Sequence, residues 1–118
     1  MLKVEDLNAF YGQAHVLRDV SISVAPGQVV VILGPNGHGK STLLKSICGL
    51  VEKTKGRILY NDQNIHGMAT EKIVNRGLIY IAENRELFPY LTVLDNLKLG
   101  AYSKNARDYE KQNLQQVF

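Results

Sequence analysis

The sequence predicts an α/β fold, and three stretches carry that prediction. Val29-Val30-Val31-Ile32-Leu33 is an apolar, β-branched run of the kind that fills a buried parallel strand. It leads directly into the glycine-rich Gly34-Pro35-Asn36-Gly37-His38-Gly39-Lys40-Ser41-Thr42, after which Leu43, Leu44, Ile47 and Cys48 recur at helical spacing. Leu78-Ile79-Tyr80-Ile81-Ala82 is a second apolar run and reads as a second buried strand. Strand, loop, helix and a further buried strand are the ingredients of an α/β layer.

Taken in order, Leu2 to Phe10 reads as a strand and Tyr11-Gly12-Gln13 as the turn after it. Val16, Arg18, Val20, Ile22 and Val24 then occupy alternate positions, the period of a strand with one covered face. Ala25-Pro26-Gly27-Gln28 is a turn, and the strand, loop and helix around Gly34 follow, with Gly49 as the helix stop. Glu52-Lys53-Thr54-Lys55 reads as a polar connection, Arg57-Ile58-Leu59-Tyr60 as a short strand and Asn61-Asp62-Gln63-Asn64 as a turn. Thr70 to Arg76 is a short helix with Ile73 and Val74 facing inward, ended by Gly77. Thr92-Val93-Leu94-Asp95 is a capping box that starts a helix carrying Leu94, Leu97 and Lys98. From Ala106 to Phe118, Tyr109, Leu114, Val117 and Phe118 begin an apolar face, and the chain stops on it as if partway through a helix.

The bulk composition narrows the classes. With 118 residues, of which 45% are hydrophobic and 21% charged, the chain is long enough to bury a core. The net charge of +3 comes from scattered residues with no basic run, which gives no ground for nucleic-acid binding. Cys48 is the only cysteine, so an intramolecular disulfide is impossible, and it reads as a small buried hydrophobe. The acids in Met1-Leu2-Lys3-Val4-Glu5-Asp6 do not suit a signal peptide, and no apolar run reaches membrane-spanning length. The expected location is the cytosol.

The glycine loop fits G-x-x-x-x-G-K-[ST] between a strand and a helix, the context a phosphate-binding loop requires. Gly34, Gly37 and Gly39 permit backbone angles a Cβ would forbid, so that N–H groups converge on an anion together with the positive helix end. A helix dipole contributes only about 0.3–2 kcal/mol. Micromolar affinity needs about 8 kcal/mol. Several charge-assisted N–H bonds, the Lys40 ammonium and a metal ion must therefore carry most of the binding. Lys40 is expected at the β/γ-phosphates and the Ser41 hydroxyl on Mg²⁺. Thr42 either adds a hydroxyl on the α-phosphate side or serves the helix start.

A nucleotide-hydrolysing site also needs an acid at the end of a second buried strand. Asp62 follows a short run into a turn and reads as turn chemistry. Glu83, after Leu78–Ala82, is the better candidate. It is either the principal magnesium acid or the first residue of a loop that reports on the nucleotide. Leu87-Phe88-Pro89-Tyr90-Leu91 is either a docking surface or ordinary core beneath the helix that starts at Thr92. His15 and His66 have no neighbouring ligand pattern and read as surface residues.

With these motifs in place, the whole chain resembles the ATPase subunit of ABC transporters. Gly34-Pro35-Asn36-Gly37-His38-Gly39-Lys40-Ser41-Thr42 is similar to that family's Walker A, and Tyr11 matches the aromatic that stacks on adenine. Glu83 falls where the family has its Q-loop glutamine, with Leu87-Phe88-Pro89 and Leu91-Thr92-Val93 behind it. The glutamate itself, with Asn84-Arg85 and Asn96-Leu97-Lys98-Leu99-Gly100-Ala101-Tyr102, most resembles the ATPases of branched-chain amino-acid importers, with urea and amide importers nearby.

The resemblance implies a P-loop core joined by an antiparallel layer from Leu2–Val24 and Arg57–Tyr60. Residues 1–91 would form the nucleotide-binding part and 92–118 an incomplete start of the helical subdomain. It implies ATP and Mg²⁺, with Lys40 and Glu83 contributing to catalysis and Ser41 and Glu83 to the metal. The implied partners are transmembrane permease subunits, a second ATPase subunit and, indirectly, a solute-binding protein. The implied place is the inner face of the membrane. The family's signature motif, Walker B acids, D-loop and switch histidine would lie after Phe118, so this chain would bind nucleotide without completing the hydrolytic site. A GTPase would need an Asn-Lys-x-Asp motif, which the sequence lacks. No arginine-bearing kinase lid is found, and the stretch from Glu83 to Tyr102 argues against a non-transport relative.

Overall fold

Strands β1 (Leu2–Tyr11) and β2 (Ala14–Val24) are joined by Gly12-Gln13 alone, and so short a link folds them antiparallel. Gly12 takes φ +58°, the left-handed geometry that such hairpin turns demand. β1 pairs on its other side with β3 (Lys53–Tyr60), and β3 with the short β4 (Gln63–Asn64), giving a sheet in the order β2-β1-β3-β4. The structure is a computed structural model that describes residues 1–84 and 86–118. Arg85, part of the Glu83-Asn84-Arg85 resemblance, lies outside the described residues. The chain falls into two units, Met1–Tyr80 and Ile81–Phe118.

β3 begins earlier than expected. Lys53, Thr54 and Lys55 pair with Phe10, Ala9 and Asn8, so a stretch that reads as a polar connection is a solvated strand. The alternation in β2 also differs from expectation, because Leu17 is buried and Arg18 is exposed. Asp19 adopts φ +47° and inserts one residue, after which Val20, Ile22 and Val24 turn toward the covered face. Asp6 does the same in β1 at φ +48°, so burial steps from Val4 to Leu7. Between them, the Asp6 N–H donates to Ser21 Oγ at 2.9 Å.

Gly56 lies beside the same irregularity in β3. At φ +118°, an added Cβ would come within 2.6 Å of the Asp6 carbonyl oxygen. Three neighbouring strands thus bend at one level, and the short polar or absent side chains of Asp6, Asp19 and Gly56 permit it.

Helix α1 (Lys40–Ile47) closes the inner face of the sheet. Its Leu43 and Ile47 join Val4, Leu7, Ala9, Leu17 and Ile58 in one buried cluster that Val51, Ile65 and Ile73 complete. Cys48 is buried beside it, as the sequence predicts, and burial pushes its thiol up from the usual range. Helix α2 (Thr70–Asn75) turns Ile73 inward but leaves Val74 exposed, since six residues bury only one position.

The two runs expected to be buried strands, Val29–Leu33 and Leu78–Ala82, are not strands here. Val29 and Leu33 are each 87% exposed and Ile81 is 89% exposed. A parallel strand takes its hydrogen bonds from neighbours distant in sequence, and the described strands are all committed to the antiparallel layer. Only Ile32 and Leu78 pack partly against the core.

In the second unit, α3 (Val93–Leu99) starts at the predicted capping box: the Asp95 N–H donates to Thr92 Oγ1 at 3.1 Å. Helices α4 (Lys104–Arg107) and α5 (Glu110–Val117) follow, so the expected single helix from Ala106 is broken at Asp108-Tyr109. Ser103 caps α4, and Tyr109 stands at the start of α5 rather than on its face.

Candidate nucleotide-binding site

The loop is exposed from Gly34 to His38 and turns into α1 through two left-handed glycines, Gly37 at φ +82° and Gly39 at φ +88°. Gly39 is needed for a second reason: a Cβ there would meet Leu17 Cδ2 at 2.8 Å, with Val16 Cγ1 at 3.7 Å. The end of the loop is therefore seated on β2, in the hairpin whose tip carries Tyr11.

Gly39 is also the N-cap of α1, and no side chain accepts from the first turn. The first intrahelical bond runs from the Leu43 N–H to the Gly39 carbonyl at 2.9 Å. The N–H groups ahead of it keep the positive end of the helix available to an anion. Lys40 Nζ donates to the Gly34 carbonyl and to the Pro35 carbonyl, the latter at 2.8 Å. These bonds hold the ammonium across the loop it belongs to.

Successive residues of α1 divide their tasks by direction. Ser41 is exposed and Thr42 is 9% exposed, so only Ser41 offers its hydroxyl freely to solvent. Thr42 is tied into the helix, where its carbonyl accepts from Ser46 Oγ at 2.7 Å. His38 is exposed, and its Nδ1 donates to the Asn36 carbonyl at 3.3 Å. One outward hydroxyl suits Mg²⁺, which keeps most of its waters and takes one or two protein ligands beside phosphate oxygens. A closed cage of protein ligands is not what that ion requires.

Tyr11 ends β1 and is 49% exposed. It borders an open hollow of 680 Å³ lined also by Phe10, Gly12, Leu50, Glu52 and Lys53. On the neighbouring rung, Phe10 stacks on His15 with ring centroids 4.3 Å apart and planes 16° from parallel. His15 Nε2 is hydrogen-bonded to Asn8 Oδ1 at 2.8 Å, and Lys53 Nζ lies 5.1 Å from the Phe10 centroid. His15 is thus not a plain surface residue, and neither is His66, half-buried and hydrogen-bonded to Thr54 at 3.0 Å. Sequence reasoning missed both because their partners come from other strands or turns.

Glu83 is exposed at the start of the second unit and is described with it. The apolar loop behind it is not core: Leu87 and Leu91 are exposed, Phe88 is 59% exposed and Tyr90 is 99% exposed. No described helix is long and apolar enough to cross a membrane.

Comparison with known proteins adds to this geometry. The family model described as ABC transporter matches residues 17–118. A high-affinity branched-chain amino acid transport ATP-binding protein, BraG of Pseudomonas aeruginosa, is 35% identical over 95% of this chain and 48% of its own. A molybdate/tungstate import ATP-binding protein, WtpC of Thermococcus kodakarensis, is 44% identical over 85% of this chain and 29% of its own. The chain thus spans about half, or less, of the length of these relatives. Among solved structures, a nucleotide-free ATP-binding cassette from an ABC transporter superposes with a TM-score of 0.77 at 32% identity, covering 93% of this chain and 46% of that one. The α/β class and the cassette fold follow from that match.

Proposed function

The chain belongs to the ABC transporter family, and from that premise we propose that it binds Mg-ATP as part of the ATPase subunit of an importer of branched-chain or related amino acids. The observation that carries the nucleotide site is the glycine loop seated on β2. It combines an uncapped helix start, the Lys40 ammonium held across it and the exposed Ser41 hydroxyl. The triphosphate would lie in the cradle of Gly34, Pro35, Asn36, Gly37, His38 and Gly39. Lys40 would exchange its carbonyl partners for phosphate oxygens, a stronger charge-assisted bond.

Ser41 and Glu83 would hold Mg²⁺ or its waters, and Thr42 would add its hydroxyl on the α-phosphate side. Tyr11 would stack on adenine. Mg²⁺ would neutralise charge on the β- and γ-phosphates. Hydrolysis would be completed by a signature motif and Walker B acids from outside these 118 residues, the former on a second ATPase subunit. Residues 1–91 would serve as the nucleotide-binding part and 92–118 as the start of a helical subdomain. The subunit would sit on the cytoplasmic face of the membrane through its permease subunits, with a solute-binding protein acting on their far side.

The stretch from Glu83 to Tyr102 and the resemblance to BraG support the amino-acid assignment. The higher identity to WtpC over a shorter span supports a second reading, an importer of oxyanions. Solute-stimulated ATP hydrolysis in the assembled transporter, with leucine and molybdate compared, separates the two.

The site itself is tested by titrating the chain with Mg-ATP. Lys40→Ala is expected to abolish measurable binding. Tyr11→Ala is expected to weaken it by about 1–3 kcal/mol, the size of a base–aromatic stack. Equal affinity in wild type and Tyr11→Ala removes the stacking role, and binding that survives Lys40→Ala removes the site.

A further inference from the structure

The hairpin that carries Tyr11 is built unevenly near its tip. Tyr11 pairs with Ala14, which offers its ring a single methyl group. One rung back, Phe10 pairs with His15, and the next pair is Ala9 with Leu17, so Val16 is an extra residue on β2. Without that bulge His15 and Leu17 would share one face of the sheet. With it, Leu17 is buried beside Gly39 while His15 stacks on Phe10 on the opposite face. Phe10 is held from both neighbouring strands. His15 lies on it from β2, and Lys53 and Lys55 of β3 place Nζ 5.1 and 6.0 Å from its centroid. His15 is fixed in turn by Asn8. Asn8 Oδ1 accepts from the Asp19 N–H at 3.2 Å, and Asn8 Nδ2 donates at 2.9 Å to the Asp6 carbonyl and to Asp19 Oδ1. The atom facing His15 is therefore the carboxamide oxygen, so His15 Nε2 carries the proton and donates to it at 2.8 Å. That bond ties the ring to Asp6 and Asp19, the two residues on which β1 and β2 bend.

We infer that His15 is a positioning residue for the base of the bound nucleotide: by bracing Phe10 it sets the direction in which Tyr11 leaves the strand. This role rests on the reading of Tyr11 as the adenine platform. Neighbouring residues of a strand point to opposite faces, so a backbone whose Phe10 is clamped on one face commits Tyr11 to the other. Ala14 cannot supply that constraint at the tip itself. The same short piece of β2 also reaches the phosphate end of the site, because Leu17 seats the glycine loop at Gly39. The bulge at Val16 lets two residues of one strand serve the two ends of one ligand. His15 braces the platform from the outer face, and Leu17 supports the cradle from the inner one. A platform already held in direction loses little freedom when the base arrives, and affinity gains accordingly.

The test titrates the full chain with two probes, Mg-ATP and Mg-tripolyphosphate, which has the phosphates and no base. His15→Gln keeps an N–H donor for Asn8 and removes the ring, so its thermal midpoint should stay near wild type. It is expected to weaken Mg-ATP about fivefold, the lower end of what a base–aromatic stack supplies, and to leave Mg-tripolyphosphate unchanged. His15→Phe keeps the ring on Phe10 and should recover most of the Mg-ATP affinity. Because His15 acts through Tyr11, the pair should be coupled: His15→Gln added to Tyr11→Ala should cost nothing further. A parallel loss of both probes would show that His15 only holds the sheet together, and would overturn the role. So would His15→Gln that binds Mg-ATP like wild type, or a fivefold loss that persists in the Tyr11→Ala background. If Tyr11→Ala alone leaves Mg-ATP affinity unchanged, the platform reading falls and takes the role of His15 with it. If wild type binds neither probe, the nucleotide site itself falls.

Discussion

Strand β1 contains Lys3, Glu5, Asp6 and Asn8 and yet is paired along both edges, whereas Val29–Leu33 contains only apolar residues and forms no strand. Intrinsic preference ranks the two the other way round, since β-branched residues favour strands and acidic residues disfavour them. The difference is supply of partners. β1 receives β2 from a tight hairpin and β3 from the chain after α1, so it is paired along both edges and its Val4, Leu7 and Ala9 are buried. Val29–Leu33 and Leu78–Ala82 need parallel neighbours, which are not among the described strands. Composition nominates a strand, but pairing makes one.

That contrast can be broken by substitution. Ile58, on β3 and 1% exposed, lies in the cluster under α1, and Ile58→Ala is expected to cost about 2–5 kcal/mol in urea unfolding. Gly56→Ala tests the bend shared by three strands. It adds a Cβ against the Asp6 carbonyl at a φ that L-residues rarely adopt, and should cost about 2–4 kcal/mol. Val31→Ser, in the unpaired run, should shift stability by no more than about 0.5 kcal/mol. A cost for Val31→Ser equal to that for Ile58→Ala would mean that the run is paired after all.

The smallest effect belongs to the outer face of the same sheet. A hydrogen bond from Lys3 at 2.7 Å, helped by the charges of Lys3 and Arg57, holds the Glu5 carboxyl below its ordinary value. A lowered folded pKa means that the unfolded chain binds the proton first as pH falls. The contribution of Glu5 is therefore full above the ordinary carboxylate range and is lost as pH drops through the lower, folded value. Urea midpoints of wild type and Glu5→Gln should differ slightly near neutral pH and converge as the pH falls through the lowered, folded value. A gap that widens on acidification contradicts the pairing.

Features of the site set by neighbours in sequence were legible before the structure. Strand-like run, glycine loop and helix mark Gly34–Thr42, and Thr92 with Asp95 marks the start of α3. The buried Cys48 follows from helical spacing alone. What escaped the sequence depends on residues far apart along the chain. The inserted residues at Asp6 and Asp19 shift the burial pattern through cross-strand register, Asp6 lying beside Ser21 and Asp19 beside Asn8. The need for glycine at position 39 includes a contact with Leu17, and the stacking of His15 on Phe10 comes from strand register. The fate of Val29–Leu33 turns on partners that no local pattern records.

Under the proposed function, these residues bind Mg-ATP at the glycine loop and do not turn it over by themselves. Steady-state phosphate release by the 118-residue chain at saturating Mg-ATP tests this most directly, with Lys40→Ala as the reference. The predicted result is binding with no release above that of Lys40→Ala. Sustained release by the wild-type chain, abolished by Lys40→Ala, would contradict it.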